Sequence, residues 1–358
     1  MKLSGVNSFY HYMDQDKKYF FFGDLHNTYD DCDEYCDYFD YTFEKTYTYH
    51  NACTTIGPLL HHWLIYNNNH DIKTDFYIEE SFTKQNNQRT NLKKTITYRK
   101  QHPYNTLTTH FPIQMSWLAL MGDLLQPCLT KEKITCPYYP NVHVHYADIR
   151  FVEGVRVSPF NINFLENKTD QINIIRTLYY NVDTILSGLF DMDGYENMLN
   201  VLKKVKLSTN LYHEQLALMD QLTVIREIDG KKIKMHRIAW EAHNHPEIKK
   251  FVLLLCEREM KKLNYGKDIY DDLFFLKYSS IFTIISAYTM DLYLLSRMFN
   301  QDGKEVFVYA GAAHIEVYAL YFEYLNIQPV IEIPVQEKKC LDVPNLLDYI
   351  DVNKYRSV

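Results

Sequence analysis

The chain has 358 residues, 46% of them hydrophobic, and a formal net charge of −7 at pH 7. This length allows one large or two ordinary domains with a sizeable core, and the acidic balance gives no reason to expect a nucleic-acid partner. Seven cysteines without a CxxC pair argue against a secreted disulfide scaffold.

Five short apolar runs predict buried β-strands along the chain. None of the runs alternates cleanly with polar residues, which is typical of strands covered on both faces in a parallel sheet. Segments with helical periodicity separate them, for example IEVYALYFEYLN, which we expect to end near Asn326. We therefore predict an α/β fold with a mainly parallel central sheet flanked by helices. The predicted strands cover residues 19–23, 76–79, 143–149, 306–310 and 329–333.

The middle of the chain, from residue 170 to residue 300, reads as almost entirely helical. We expect residues 160–300 to form a large, mostly helical insertion before the last strands, within a single α/β domain that spans residues 1–358. The longest apolar segment, LFFLKYSSIFTIISAYTMDLYLL, carries Lys277 and Asp291. Those charges favour a buried helix over a membrane span.

Polar side chains follow four of the predicted strands at the point where each strand ends. In a parallel α/β sheet, ligands bind at the carboxyl ends of the strands, so these residues are candidates for a site. Two similar turns, GDLH and GAAH, would bring His26 and His314 to the same crevice from distant parts of the chain. The candidates are Asp24 and His26 after the first strand, Glu79 at the end of the second, Asp148 and Arg150 with the third, and His314 after the fourth.

These residue types in one crevice indicate acid–base or metal chemistry. Imidazoles and carboxylates at one sheet edge would perturb one another's protonation, as in many catalytic and metal sites. We expect Asp24, His26, Glu79 and His314 to be catalytic. If the chemistry is that of a metal site, His26, Glu79 and His314 would be the ligands of a divalent metal such as Mn²⁺ or Zn²⁺; otherwise no cofactor is expected. Taken singly, each has a structural alternative, because such residues often cap a helix or hydrogen-bond within a core.

Asp148 and Arg150 lie two residues apart and would face the same way on the third strand. We expect the guanidinium of Arg150 to reach either Asp148 or Glu79. Both residues of the pair would then help to position a substrate.

The motifs GDLH, DFYIE, HYADIR and YAGAAH, in this order, resemble the pattern of the erythromycin esterase, ChaN-like haem-binding and TraB/Tiki proteins. A further short match is DLYLLSRMF, which places Arg297 on a late helix, where we expect it to position a substrate. The resemblance covers the two ends of the chain and implies an α/β sheet with helical insertions. Uncharacterised proteins of this kind occur in giant DNA viruses, and a composition rich in Tyr, Asn, Ile and Lys would suit such a source.

The resemblance implies three alternative chemistries at the matched positions. In the esterases, histidines and glutamates activate water to open an ester. In the Tiki branch the corresponding residues hold a divalent metal for peptide hydrolysis, and the ChaN branch binds haem. Asp24 stands where the esterase motif has Glu and where Tiki proteins have a neutral residue, so the branch stays open.

The expected function is that of a hydrolase that attacks an ester or amide with activated water. His26 would be the general base or a metal ligand, Glu79 and Asp24 would orient it or bind the metal, and His314 would be a ligand or an acid. A small-molecule or peptide substrate, a cytoplasmic location (host cytoplasm or virion if viral) and no membrane span are expected. The alternative is a non-catalytic binding or virion-associated protein that retains the fold, or a haem-binding protein.

Overall fold

The computed structural model describes residues 2–24, 53–79, 125, 139–152, 155–162, 165–262, 272–337 and 340–344. The chain divides into two compact units. The first comprises residues 1–80, 84–147 and 301–358, and the second comprises residues 81–83 and 148–300. The second unit includes the predicted helical insertion. That the whole chain forms a single domain stays a prediction.

The described strands belong to four sheets. They are β1 (Lys2–Ser4), β2 (Ser8–Asp14), β3 (Lys17–Asp24), β4 (Cys53–Thr55), β5 (Thr74–Ile78), β6 (Val142–Tyr146), β7 (Phe151–Val152), β8 (Val155–Arg156), β9 (Thr223–Ile228), β10 (Lys231–His236), β11 (Glu305–Gly311), β12 (Pro329–Ile333) and β13 (Cys340–Asp342).

The described helices lie mostly in the second unit. They are α1 (Ile56–Asn69), α2 (Lys168–Tyr180), α3 (Val182–Phe190), α4 (Tyr195–Lys203), α5 (Leu211–Leu218), α6 (Arg237–Asn244), α7 (Pro246–Lys261), α8 (Asp272–Asn300) and α9 (Ala312–Tyr324). Of these, α1 and α9 belong to the first unit.

The central sheet of the first unit has six strands in the order β12-β2-β3-β11-β5-β6. The four strands β3, β11, β5 and β6 are parallel to one another. Strand β2 is antiparallel to both β3 and β12, so it alone runs against the other five. This arrangement confirms the predicted α/β fold with a mainly parallel central sheet, and a helical region precedes the last strands.

Strand β2 was not predicted, because its sequence, SFYHYMD, mixes aromatic and polar residues without an apolar run. Most of this strand is nevertheless buried. Among its polar residues, Ser8 and His11 are fully buried. The strand lies inside the sheet between β3 and β12, and its side chains are buried by what packs on the faces of the sheet, as where Tyr12 contacts Phe322 of α9 at 4.5 Å.

Helices cover both faces of the sheet. On one face Trp63 of α1 packs edge-on against Phe20 and Phe307, with ring centroids 4.5 and 4.8 Å apart. On the other face Phe322 of α9 packs against Phe21 at 5.3 Å. Successive residues of β3 therefore bury rings on opposite faces, which is why its sequence is a continuous apolar run.

A buried carboxylate, Glu305, fixes the amino-terminal end of β11. Its two oxygens accept hydrogen bonds from Trp63 Nε1 at 3.2 Å, Asn67 Nδ2 at 2.8 Å and Lys18 Nζ at 3.2 Å. Glu305 is only 4% exposed. Because a buried charge is tolerated only when it is paired and hydrogen-bonded, this cluster ties α1 and β3 to β11.

The second unit is mostly helical but contains a hairpin that the sequence reading missed. Strands β9 and β10 pair antiparallel around Asp229 and Gly230, whose φ angles are +50° and +74°. The prediction of an almost entirely helical middle was therefore wrong at residues 223–236. The signal was present, since Asp-Gly between alternating residues is typical of a tight hairpin turn.

Helix α8 is the long helix of the second unit. Residues 290–296 at its carboxyl-terminal half are all buried, including Asp291. Over the described part of the chain, the helices fall short of the length and apolarity needed to cross a membrane. Cys256 of α7 is a buried free thiol, whereas Cys340 of β13 is disulfide-bonded, which the cysteine pattern did not predict.

Candidate functional site

The carboxylate of Glu79 contacts both the start of α9 and the imidazole of His314. Glu79 Oε2 accepts the backbone N–H of Gly311 at 2.5 Å. Glu79 Oε1 lies 3.3 Å from His314 Nε2, and the two side chains are each 9% exposed. The structure thus brings together two of the predicted site residues at the carboxyl edge of the parallel sheet.

The local sequence explains this geometry. The backbone N–H of Glu79 donates to Tyr309 O at 3.0 Å, so the ladder between β5 and β11 continues to the end of the strands. Gly311 then leads directly into α9, and His314 is the third residue of that helix. The first N–H groups of a helix have no acceptor within the helix and carry a partial positive charge, which favours a carboxylate at this point.

Gly23 is needed for close packing rather than for an unusual backbone angle. A Cβ at this position would lie 2.0 Å from Ser8 Oγ and 3.2 Å from the Cα of Ala312. Neither Gly23 nor Gly311 has a positive φ angle. The glycine of the GDLH turn therefore allows β2 and the start of α9 to approach β3, a role that the sequence alone did not distinguish from a turn or a ligand approach.

Asp24 lies at the same sheet edge but on the opposite face. It pairs in register with Gly311 and is 1% exposed. Since Gly23 faces Ala312, the alternation of the strand directs Asp24 to the face of Phe22. Asp24 and Glu79 are also two strands apart, a separation of about 10 Å across the sheet.

His26 lies outside the described residues. Of the three predicted metal ligands, the structure therefore describes Glu79 and His314. Within the described ranges no group of three or more His, Cys, Asp and Glu side chains is arranged to hold a metal ion. A metal at this site would need a further ligand beyond the two that the structure places together.

Asp148 and Arg150 belong to the second unit, where they pair with each other. Arg150 Nε donates to Asp148 Oδ1 and Arg150 Nη2 to Asp148 Oδ2, both at 2.8 Å. The Arg150 backbone N–H also reaches Asp148 Oδ1 at 3.0 Å. The expectation that both residues lie on the third strand was wrong, because β6 ends at Tyr146 and the pair forms in the turn that follows.

Arg297 lies on α8, also in the second unit. Its Nη2 is 3.2 Å from Oε1 of the buried Glu241 on α6, and its guanidinium lies over the ring of Tyr293 at 5.3 Å. These contacts join α6 to α8. A substrate-positioning role for Arg297 stays a prediction.

Asp75 is a buried carboxylate that sequence reasoning missed. Its Oδ1 lies 2.8 Å from His145 Nε2 and 3.6 Å from His143 Nδ1 on the neighbouring strand β6. Its Oδ2 accepts the Gly303 N–H at 3.0 Å. The alternating His-x-His of β6 was a usable signal, since both imidazoles had to lie on one face. In the structure both imidazoles lie beside the carboxylate of Asp75. Asp75 precedes Glu79 by four residues along the chain.

Comparisons of the chain with models of protein families, with curated proteins and with solved structures find no match. The protein is therefore classified here from its own fold and candidate site. It is an α/β protein with a carboxylate–imidazole pair at the carboxyl edge of a mainly parallel sheet.

Proposed function

We propose that the protein is a hydrolase that cleaves an ester or amide with an activated water molecule. The observation that carries the proposal is the contact between Glu79 and His314 at the carboxyl edge of the sheet. This edge is where α/β proteins place their ligands. The resemblance of the four sequence motifs to the erythromycin esterase and TraB/Tiki proteins supports the same chemistry.

In the proposed mechanism His314 is the general base and Glu79 its positioning residue. With the proton of the imidazole on Nε2, that N–H donates to Glu79 Oε1, and Nδ1 becomes the basic nitrogen. A nearby carboxylate favours the imidazolium that forms when Nδ1 takes a proton from water. This arrangement gives His314 the base role that the sequence reading assigned to His26.

The proton is returned later in the reaction. Water attacks the carbonyl carbon as His314 removes its proton, and the tetrahedral intermediate then expels the alcohol or amine. His314 donates the proton to that leaving group, so the site ends as it began. His26 stays the proposed second imidazole, and Mn²⁺ or Zn²⁺ stays a proposed cofactor that would polarise the carbonyl.

The test is a hydrolysis assay of the full chain on a panel of small esters and amides, with chelator and with added Mn²⁺ or Zn²⁺. We expect His314→Asn to lower kcat by about 10²–10⁴, the usual contribution of general acid–base catalysis. Glu79→Gln should lower kcat less and shift the pH profile, because it acts through His314. The matched control is His243→Asn, an exposed histidine of the second unit.

Two results would contradict the proposal. One is hydrolysis that His314→Asn leaves at the level of His243→Asn. The other is a wild-type protein that hydrolyses no member of the panel with or without metal, while circular dichroism shows it folded. The second result would favour the non-catalytic alternative.

A further inference from the structure

A groove of about 410 Å³ lies between α9 and the strands β2 and β12 in the first unit. This volume is within the range of small-ligand pockets, about 300–1,000 Å³. Among the residues that line it are Tyr10, Tyr12, Glu316, Leu320, Glu323 and Glu332, and no lysine or arginine of the described part of the chain lines it.

The three glutamates surround the groove at spaced positions. Glu316 and Glu323 are seven residues apart on α9, so the helical rise separates them by about 10 Å along the axis. Glu332 lies on β12, in register with Tyr10 of β2. All three are exposed, and among the described residues none of them has an ion-pair partner.

The floor of the groove contains two buried phenols. Tyr10 and Tyr12 are 5% and 3% exposed, and their rings stack with centroids 6.3 Å apart. Neither hydroxyl hydrogen-bonds to any of the residues that the structure describes. Burial, followed by the charges of Glu316 and Glu332, raises the pKa of Tyr10 to about 12, so this hydroxyl stays protonated in the field of the groove carboxylates. Both tyrosines line the groove, and neither hydroxyl is among the fully buried polar atoms that lack a partner. Both hydroxyls are therefore open to the groove and can accept hydrogen bonds from a ligand there.

We propose that this groove binds a linear aliphatic cation with two or more ammonium groups, such as a polyamine. The ammonium groups pair with Glu316 and Glu323 and donate to the phenol oxygens. The aliphatic chain lies along the tyrosine rings and Leu320. A single metal ion fits less well, because its ligands must converge within about 2.6 Å of one point and these carboxylates do not.

The binding test is calorimetric titration of the full chain with spermidine at low and at physiological salt. We expect saturable binding that weakens with salt, as for any partly exposed ion pair. Glu316→Gln and Glu323→Gln should each weaken binding about fivefold, at the upper end for exposed pairs. Tyr10→Phe keeps the ring and removes the hydroxyl, and it should weaken binding by a similar factor, about fivefold.

The matched control is Glu227→Gln, which removes the same charge at an exposed position on β9 and should leave spermidine binding unchanged. Equal loss in Glu227→Gln and the groove variants would overturn the proposal. The proposal would also be overturned if Mg²⁺, at the same total positive charge, displaced spermidine as readily as unlabelled spermidine does. Tighter binding of a lysine-containing peptide than of spermidine would overturn it as well. Because this test measures binding alone, its outcome is separate from that of the hydrolase assay.

Discussion

Glu79 joins the end of β5 to the beginning of α9, with Oε2 on the Gly311 N–H and Oε1 facing His314 Nε2 at 3.3 Å. Glu79→Ala should therefore lower the free energy of unfolding by about 2 kcal/mol, because a poorly exposed N–H loses its acceptor. Glu79→Gln retains an acceptor oxygen and should cost only about 1 kcal/mol. Urea melts would measure both, and an alanine variant as stable as the wild type would show that the contact adds nothing.

Arg150 and Asp148 form a forked pair with side chains that are 10% and 7% exposed. Arg150→Lys keeps the charge but cannot form two parallel hydrogen bonds, so we expect a loss of about 1–3 kcal/mol of stability. Arg226→Lys, at an exposed position on β9 where the guanidinium lies over the Trp240 ring at 5.1 Å, is the control and should change stability by less than about 1 kcal/mol. Equal stability of the two variants would mean that the fork is dispensable.

Glu305 provides a third test, since three donors converge on it in the core of the first unit. Glu305→Gln can keep its carbonyl oxygen on Trp63 Nε1 and Asn67 Nδ2, which both donate to Oε2, but its amide N–H₂ then faces the ammonium of Lys18, which is also a donor. We expect a loss of about 2–3 kcal/mol, compared with little change for the exposed Glu332→Gln. Chemical denaturation of both variants measures the difference. A small effect at Glu305 would mean that its hydrogen bonds to the three donors contribute little to the stability of the fold.

His236 makes stability depend on pH. Burial lowers the pKa of this histidine from 6.5 to about 4, and its Nδ1 accepts the Ile238 N–H at 3.3 Å. Between pH 6.5 and 4 the unfolded chain binds a proton that the folded chain does not. The contribution of His236 is therefore complete above pH 6.5 and is lost as the pH falls toward 4.

His236→Asn removes the titration and keeps a helix-capping acceptor. Between pH 7 and pH 4 we expect the wild type to lose about 3 kcal/mol more stability than this variant. His11, whose pKa burial also lowers to about 4, remains in both proteins and contributes equally. Urea melts at a series of pH values measure the difference. If the free energy of unfolding changed with pH in the same way in both proteins, protonation of His236 would not be coupled to folding.

The sequence revealed the parts of the fold that local patterns encode. The run Tyr19-Phe20-Phe21-Phe22 predicts a strand buried on both faces, and it is one. The rule that parallel strands bind ligands at their carboxyl ends pointed to Glu79 and His314, which the structure brings into contact. Both results depend on short-range signals.

The remaining features depend on partners from distant segments. Asp75 and Glu305 resemble ordinary solvated carboxylates in the sequence, because their partners Gly303 and Trp63 lie more than 200 residues away from them. Strand β2 is buried because β12 joins the sheet beside it and α9 packs on one of its faces. No local pattern of charge or hydropathy contains that information.

The order of strands in the central sheet also determines when the first unit can assemble on the ribosome. Strand β11 lies between β3 and β5, yet its first residue, Glu305, follows Asp24 by 281 positions (305 − 24). At about 5–20 residues per second, the aromatic run of β3 waits roughly 15–60 s for its neighbour during synthesis. A nascent chain that stops before β11 would expose Phe20, Phe21 and Phe22 to chaperones.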